Sequence, residues 1–403
     1  MNEQALKKRL RETADQCVKC GLCLPACPTY RARRDEGESP RGRISLIQGW
    51  AEGRLERSAR LDAHLASCLE CRACERACPS LVAFGALMDD ARALGTKHAP
   101  LWRRLAKETW LAALSSRFGT RLAAMLATFY RAVGLGVLVE RAGVTRWSRP
   151  WAYHRLALQL RQPPRLRGCS RPSPDDGIAV GLFLGCVGQS AQPNALAATH
   201  RILGRLGFDV DIPSGQGCCG AMHRHNGLPE HADRLLAENA AVFSNRQVIG
   251  IASACVCELR THPRMARTQE ICRFLADLGW PAHLAPRALR KRVAVHEPCS
   301  QRNALRDARA AYELLRRIPA IEIVPLPDNA LCCGAAGTYP LQQPEMSRTL
   351  LQPKIQRLKE LRPDILVTTN TGCALHLAAG AREAGLDLEV LHPAELLARQ
   401  LGA

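Results

Sequence analysis

Nineteen cysteines sit in this chain of 403 residues, and eight of them fall in two short runs near the N-terminus. Cys17, Cys20, Cys23 and Cys27, followed by Pro28, read C-x2-C-x2-C-x3-C-P; Cys68, Cys71, Cys74 and Cys78, followed by Pro79, repeat that spacing. Thiolates are soft metal ligands, and their spacing separates the chemistries they can serve. Structural zinc sites usually pair two C-x2-C knuckles, which leaves no role for the third cysteine or the proline. Disulfides need an oxidising compartment. Met1 to Asp15 is polar and charged, without the apolar stretch of a secretory leader, so reduced thiols in a cytoplasmic chain are expected.

The spacing is that of two-cluster bacterial ferredoxins, in which three cysteines of one run and the fourth of the other hold each cubane. The first three thiolates wrap one cluster from a tight loop. The fourth, leaving on a helix after three residues, points to the neighbour. Cys17, Cys20, Cys23 and Cys78 are therefore assigned to one [4Fe-4S] cluster, and Cys68, Cys71, Cys74 and Cys27 to the other.

Nine of the other eleven cysteines follow a second pattern. From Gly177 onward, apolar runs that read as strands end at cysteines: Ile178 to Gly185 at Cys186, Val210 to Pro213 at Cys218-Cys219-Gly220, and Val248 to Ser253 at Cys255 and Cys257. A second copy has Val293 to Val295 before Cys299, Ile321 to Leu326 before Cys332-Cys333-Gly334, and Ile365 to Thr369 before Cys373. Offsets of 113, 114, 114 and 118 residues make these two homologous halves. Helical stretches such as Asn194 to Leu206 and Asp307 to Arg317 alternate with the strands. That alternation predicts a parallel sheet with helices on both faces and ligands at the carboxyl ends of the strands. Gly220 and Gly334 are expected where two adjacent thiolates face one centre only if the backbone turns sharply beside them. Cys186, Cys218, Cys219, Cys255 and Cys257 in one half, and Cys299, Cys332, Cys333 and Cys373 in the other, are candidate ligands for further iron-sulfur or zinc. His376 is read as an ordinary helix residue in preference to a fourth ligand.

The elements that position these residues divide the chain into four parts: a helical cluster domain at 1–98, a basic helical segment and linker at 99–176, and the two α/β halves at 177–290 and 291–403. In the first part, Asn2 to Asp15, the stretch after Pro40-Arg41-Gly42-Arg43-Ile44 through Gly49, and Leu55 to Leu65 read as helices. Arg41 and Arg43 are read as solvated surface arginines in preference to partners of cluster charge. In the second part, Phe118, Leu122, Met125, Leu126, Phe129 and Val133 keep helical spacing, and Trp102, Trp110, Trp147 and Trp151 lie among arginines. A basic amphipathic helix with tryptophan suits a membrane interface; the competing reading packs the stripe on the protein itself. No apolar run reaches the length of a spanning helix. Gln162 to Asp176 reads as a linker, with Cys169 an incidental thiol.

Net charge is +19, and between Leu101 and Arg171 fourteen Lys or Arg face only Glu108 and Glu140. Such a balance suits an anionic membrane, an acidic partner or nucleic acid. Aromatic residues are not interleaved with basic ones in the cysteine-rich halves, and no helix-turn-helix or single-strand platform occurs, so a nucleic-acid role ranks last. No glycine-rich dinucleotide fingerprint opens a βαβ unit, which places hydride chemistry on another chain.

Two cysteine runs followed by two Cys-Cys-Gly halves resemble the iron-sulfur subunits of flavin-linked dehydrogenases. Pro40-Arg41-Gly42-Arg43-Ile44, Gly217-Cys218-Cys219-Gly220-Ala221, Leu331-Cys332-Cys333-Gly334-Ala335-Ala336-Gly337-Thr338-Tyr339 and Leu391-His392-Pro393-Ala394-Glu395-Leu396-Leu397 resemble the glycolate oxidase (glycolate dehydrogenase) iron-sulfur subunit. The family pattern differs at Leu81, where a glycine is usual, and at Ser253-Ala254-Cys255-Val256-Cys257, where Ser-Gly-Cys-Gly is usual. The resemblance implies a non-catalytic electron-transfer subunit. An FAD-binding partner would oxidise glycolate to glyoxylate, and a quinone-type carrier at the cytoplasmic face of the inner membrane would take the electrons. The equivalent subunit of a lactate-oxidising, glycerol-3-phosphate or heterodisulfide-reductase-like complex is the alternative.

Overall fold

The computed structural model describes residues 2–142, 148–164, 166, 179–244 and 246–402, and the side chains of all of these but 148 and 149. Trp147, Cys169 and most of the proline-rich linker lie outside them. The N-terminal part is helical. α1 (Glu3–Asp15) begins where the Asn2 side chain accepts from the Ala5 amide at 2.8 Å, and it buries Leu6, Leu10 and Ala14 at helical spacing. α2 (Pro28–Arg33) starts at the proline that follows Cys27, so the fourth cysteine of the first run caps a helix. α3 (Pro40–Ala51) begins at Pro40 itself, capped by Ser39, rather than after the Pro40–Ile44 stretch. α4 (Ala59–Ala66) is shorter than the expected Leu55–Leu65, because Ser58 caps it and fixes its start. α5 (Ala73–Arg76) and α6 (Phe84–Lys97) complete the domain around Leu10, Ile47, Leu87, Met88 and Leu94. No helix starts at the proline after Cys78, as one does after Cys27; the chain turns there through Leu81, in the left-handed region at φ 51°, before α6.

The basic segment forms α7 (Leu101–Ser115), α8 (Arg117–Ala132), α9 (Leu135–Arg141) and α10 (Ser148–Gln159). It divides between the two readings of its sequence. α10 packs on the protein: Trp151 is buried, with the guanidiniums of Arg155 and Arg348 at 4.2 and 3.9 Å from its ring. Arg155 reaches the His376 carbonyl at 3.1 Å and Glu383 at 2.8 Å. α8 instead buries Thr120, Ala124 and Ala127 and leaves the opposite stripe outside, with Phe118 78% and Phe129 62% exposed. Trp102 is exposed and Trp110 half-buried. Among the described residues no single helix is long and apolar enough to cross a membrane; only the pair α8 and α9, bent by 71°, reaches that composition together.

Each cysteine-rich half is a four-stranded parallel sheet. The first has β1 (Ala179–Phe183), β2 (Asp209–Asp211), β3 (Gln247–Gly250) and β4 (Gln269–Glu270) in the order β2-β1-β3-β4; the second has β5 (Arg292–His296), β6 (Glu322–Pro325), β7 (Ile365–Thr368) and β8 (Glu389–Leu391) in the matching order β6-β5-β7-β8. Val180 stands between Val210 and Gln247, and Val293 between Ile323 and Ile365, so the central strands are apolar where both neighbours flank them. The two sheets share one core containing Val180, Ile249, Val293 and Val367, closed by helices 193–205 and 393–400. The chain is thus a helical two-cluster domain followed by two homologous α/β halves.

Candidate metal centres

The runs of cysteines meet across the N-terminal domain. Cys17, Cys20, Cys23 and Cys78 line one recess, which Cys74 also borders, and Cys27, Cys68, Cys71 and Cys74 line the next. Both are thiol-only donor sets. Thiolates alone are the usual ligands of iron-sulfur clusters. The Glu70 amide donates to Cys68 Sγ at 3.4 Å, and Thr29 Oγ1 lies 3.3 Å from Cys27 Sγ. Burial pushes the thiols of Cys68, Cys71 and Cys74 up, so metal uptake expels protons from them.

Arg43 holds the two loops in place, and it is not a solvated arginine. It is 1% exposed and bonds Glu38 Oε2 at 2.6 Å, Ser67 Oγ at 2.7 Å, the His64 carbonyl at 2.8 Å and Thr29 Oγ1 at 3.2 Å. Glu38 is as deeply buried and also takes His64 at 3.0 Å. The network spans the segments flanking Cys27 and Cys68, which supply ligand sets to the same recess. Arg41 is the more exposed of the two and pairs with Glu36 at 2.6 Å.

In the halves, each Cys-Cys pair lies beside a glycine at positive φ, Gly220 at 97° and Gly334 at 94°. A Cβ on Gly334 would stand 2.7 Å from the Ser347 carbonyl, so the turn admits no side chain. The turn lets the Gly220 amide donate to Cys218 Sγ at 3.4 Å and the Gly334 amide to Cys332 Sγ at 3.5 Å. Cys186 and Cys218 lie 3.5 Å apart, Cys299 and Cys332 3.9 Å, and Cys333 and Cys373 3.5 Å. Cys255 packs beside Cys186, Cys218 and Cys219, while Cys257 points out of that group to the Ser300 carbonyl at 3.6 Å. The two thiol sets differ in surroundings. Phe183 and Phe243 back the first. In the second, His296 groups with Cys333 and Cys373, within 4.8 Å. His296 is kept neutral, its pKa lowered to about 3 by burial and by Lys354. Hydrogen bonds from Cys299 and Cys333 pull the Cys332 thiol well below the ordinary cysteine range. His376 is engaged elsewhere: Nδ1 meets Arg155 at 3.3 Å and Nε2 meets Ser347 Oγ at 3.2 Å.

The second N-terminal thiol set abuts the second half. Cys71 and Cys299 pack on one apolar cluster of Leu69, Cys332, Tyr339 and Met346. Asn303 donates to the Cys71 carbonyl at 2.8 Å, and Tyr339 donates to the Ser67 carbonyl at 2.9 Å. On the first half's side, His225 lies between the carboxylates of Glu70 and Asp89, with Arg92 also on Glu70. A cavity of about 900 Å³ opens between the domains, bordered by Cys71, Cys186, Cys218, Cys299, Cys332 and Cys373 and by α8 and α10. Cysteine pattern alone did not reveal Glu38, His225 or His296, whose partners lie on distant segments. Glu270, Cys272 and His392 form another buried group. There His392 Nδ1 accepts from the Ala394 amide at 3.1 Å, which puts the ring proton on Nε2, facing Glu270 Oε1 at 3.2 Å. His392 thereby caps the last helix, with its Nδ1 lone pair taken by the Ala394 amide.

Comparison with known sequences agrees with this architecture. Residues 13–82 match the family described as a 4Fe-4S dicluster domain, and residues 180–259 and 293–378 each match that described as a cysteine-rich domain. Fold and thiol sets define an iron-sulfur protein with a dicluster domain and two cysteine-rich α/β domains. The chain is 31% identical over 387 aligned residues to the glycolate oxidase iron-sulfur subunit of Escherichia coli (strain K12), covering 91% of this chain and 90% of that one. It is 30% identical over 418 aligned residues to the probable glycolate oxidase iron-sulfur subunit of Bacillus subtilis (strain 168), covering 96% and 94%. Lactate utilization protein A of Oceanobacillus iheyensis is 29% identical over 236 residues, 55% of this chain and 96% of that one. The chain belongs to the family of glycolate oxidase iron-sulfur subunits.

Proposed function

We propose that the chain conducts electrons from an FAD-binding partner that oxidises glycolate to glyoxylate toward a quinone-type acceptor at the membrane. The observation that carries this is the chain of thiol sets: Cys17, Cys20, Cys23 and Cys78 beside Cys27, Cys68, Cys71 and Cys74, and these beside Cys299 and Cys332 across Leu69 and Tyr339. When bound at the two N-terminal sets, [4Fe-4S] clusters supply one-electron storage at potentials that ligand hydrogen bonds and burial tune. The chain's own residues exclude water around the second set, donate amide hydrogens to its sulfurs, and fix the distance to the second half through Asn303 and Tyr339. Glycolate oxidation releases two electrons and two protons, both of which the partner's flavin takes before giving the electrons up singly. The cysteine-rich halves hold further iron-sulfur or zinc at Cys186, Cys218, Cys219 and Cys255 and at Cys299, Cys332, Cys333 and Cys373, and the cavity between them receives the acceptor. Full-length similarity to glycolate oxidase subunits, against half-length similarity to the lactate proteins, favours glycolate.

Attachment to the membrane is part of the proposal. The exposed stripe of α8, with Trp102 on α7 and a rim that includes Arg103 and Arg121, combines apolar surface with positive charge, as an anionic interface requires. The complex reconstituted with its flavoprotein should reduce a dye with glycolate and stop doing so on Cys20→Ser. Equal activity with lactate, or activity that survives Cys20→Ser, would overturn the glycolate route through this chain.

A further inference from the structure

The two N-terminal thiol sets differ in what covers them. Cys27, Cys68 and Cys74 are buried, and Cys71, half-buried, faces the second half; Cys20 of the other set is exposed. Around that opening the chain places apolar side chains in solvent: Val18 is 68% exposed, Leu22 60% and Leu81 77%. Val18 and Leu22 border the recess of Cys17, Cys20, Cys23 and Cys78 directly, and Leu81 lies between Ser80 and Val82, which border it too. Leu81 is the informative residue. Its φ of 51° lies in the left-handed region, where an L side chain costs about 1–2 kcal/mol and glycine costs nothing. A strained leucine whose side chain is 77% exposed contributes little packing to this fold, although its amide closes the turn after Cys78. At the fringe, Lys19 bonds Ser45 and Gln48 rather than a carboxylate, and Arg41 pairs with Glu36.

Resting on the conductor reading above, we infer that Val18, Leu22 and Leu81 form the docking surface for the flavin-bearing donor subunit. Electron transfer falls steeply with distance, so a donor must seat where a thiol set reaches the surface. Of the two N-terminal sets, that of Cys20 does so, and the apolar ring around it supplies the anchor residues of an interface centre. The donor surface it fits is apolar at its centre, with an acidic side chain opposite Lys19, whose charge no carboxylate among the described residues meets.

The test uses the full chain carrying Leu81→Gly, Leu22→Ser, or both with Val18→Ser, and the separately purified flavoprotein subunit. Iron, sulfide and reduction by dithionite should match the wild type, and Leu81→Gly should unfold no earlier, since it relieves strain. Affinity for the flavoprotein should fall about fivefold to tenfold for each single variant and about a hundredfold for the triple. Wild-type affinity in the triple variant with intact clusters overturns the docking surface alone. A wild-type chain that does not bind the flavoprotein overturns this surface and the conductor reading together. A wild-type homodimer that the triple variant turns into a monomer, with flavoprotein binding unchanged, assigns the patch to a second copy and overturns the inference.

Discussion

Replacing Arg43 by methionine should destabilise the cluster domain selectively. The substitution keeps the volume of the side chain but leaves Glu38 buried without the guanidinium that meets it at 2.6 Å, and strands Ser67 and the His64 carbonyl. Breaking one side of a buried ion pair costs about 3–5 kcal/mol. His64 at 3.0 Å and Arg33 at 3.3 Å remain near Glu38, which puts the value toward the lower end, at about 3 kcal/mol. With a urea dependence of about 2 kcal/mol per molar, the midpoint should fall by about 1.5 M. The assay is urea unfolding followed by cluster absorbance under anaerobic conditions, compared with far-UV circular dichroism of the whole chain. The double variant Arg43→Met with Glu38→Gln should recover much of the loss, because the stranded charge is gone. A midpoint shift below about 0.3 M for Arg43→Met, or no recovery in the double variant, would refute the role given to this network.

Three further outcomes follow from the geometry. Gly334→Ala should cost about 1–3 kcal/mol and displace Cys332 and Cys333, seen as loss of metal from the second half while N-terminal iron is retained. Against the burial that lowers it, Glu70 and Asp89 raise the pKa of His225 to about 10. The stabilisation from the His225 charge is therefore lost as pH rises from about 6.5 through about 10, and it also declines on the acid side as Asp89, raised to about 6 by burial beside Glu70, takes up a proton. His225→Ala should lower thermal stability by several degrees at pH 7, and the difference should shrink above pH 10, where the imidazole is neutral. Phe118→Ser with Phe129→Ser should reduce sedimentation with vesicles containing anionic lipid at least tenfold. Unchanged sedimentation would remove the membrane role of α8.

Cysteine spacing made the N-terminal domain and the repeated halves legible, because metal ligation ties residue type to position more tightly than any packing rule does. The central strands were equally visible as apolar runs. β4 and β8 were not: two and three residues long, they carry no period of their own and exist because β3 and β7 offer them an open edge. Arg43 looked like a surface arginine because its partners Ser67 and the His64 carbonyl are more than twenty residues away along the chain. Phe118 and Trp151 share an arginine-rich aromatic sequence texture yet part company in the fold, one facing solvent and one clamped between Arg155 and Arg348. Local pattern fixes which residues are amphipathic, and the tertiary neighbour decides which stripe is covered.

The crossed use of ligands is the central claim, and electron paramagnetic resonance of reduced, anaerobically prepared single-cysteine variants tests it most directly. The intact chain should carry at least about eight irons and eight sulfides. If each set borrows its fourth ligand from the other run, Cys27→Ser should alter the same signal as Cys71→Ser, and Cys78→Ser the same signal as Cys20→Ser. Cys27→Ser behaving like Cys20→Ser instead, or a wild-type chain without inorganic sulfide, would contradict it.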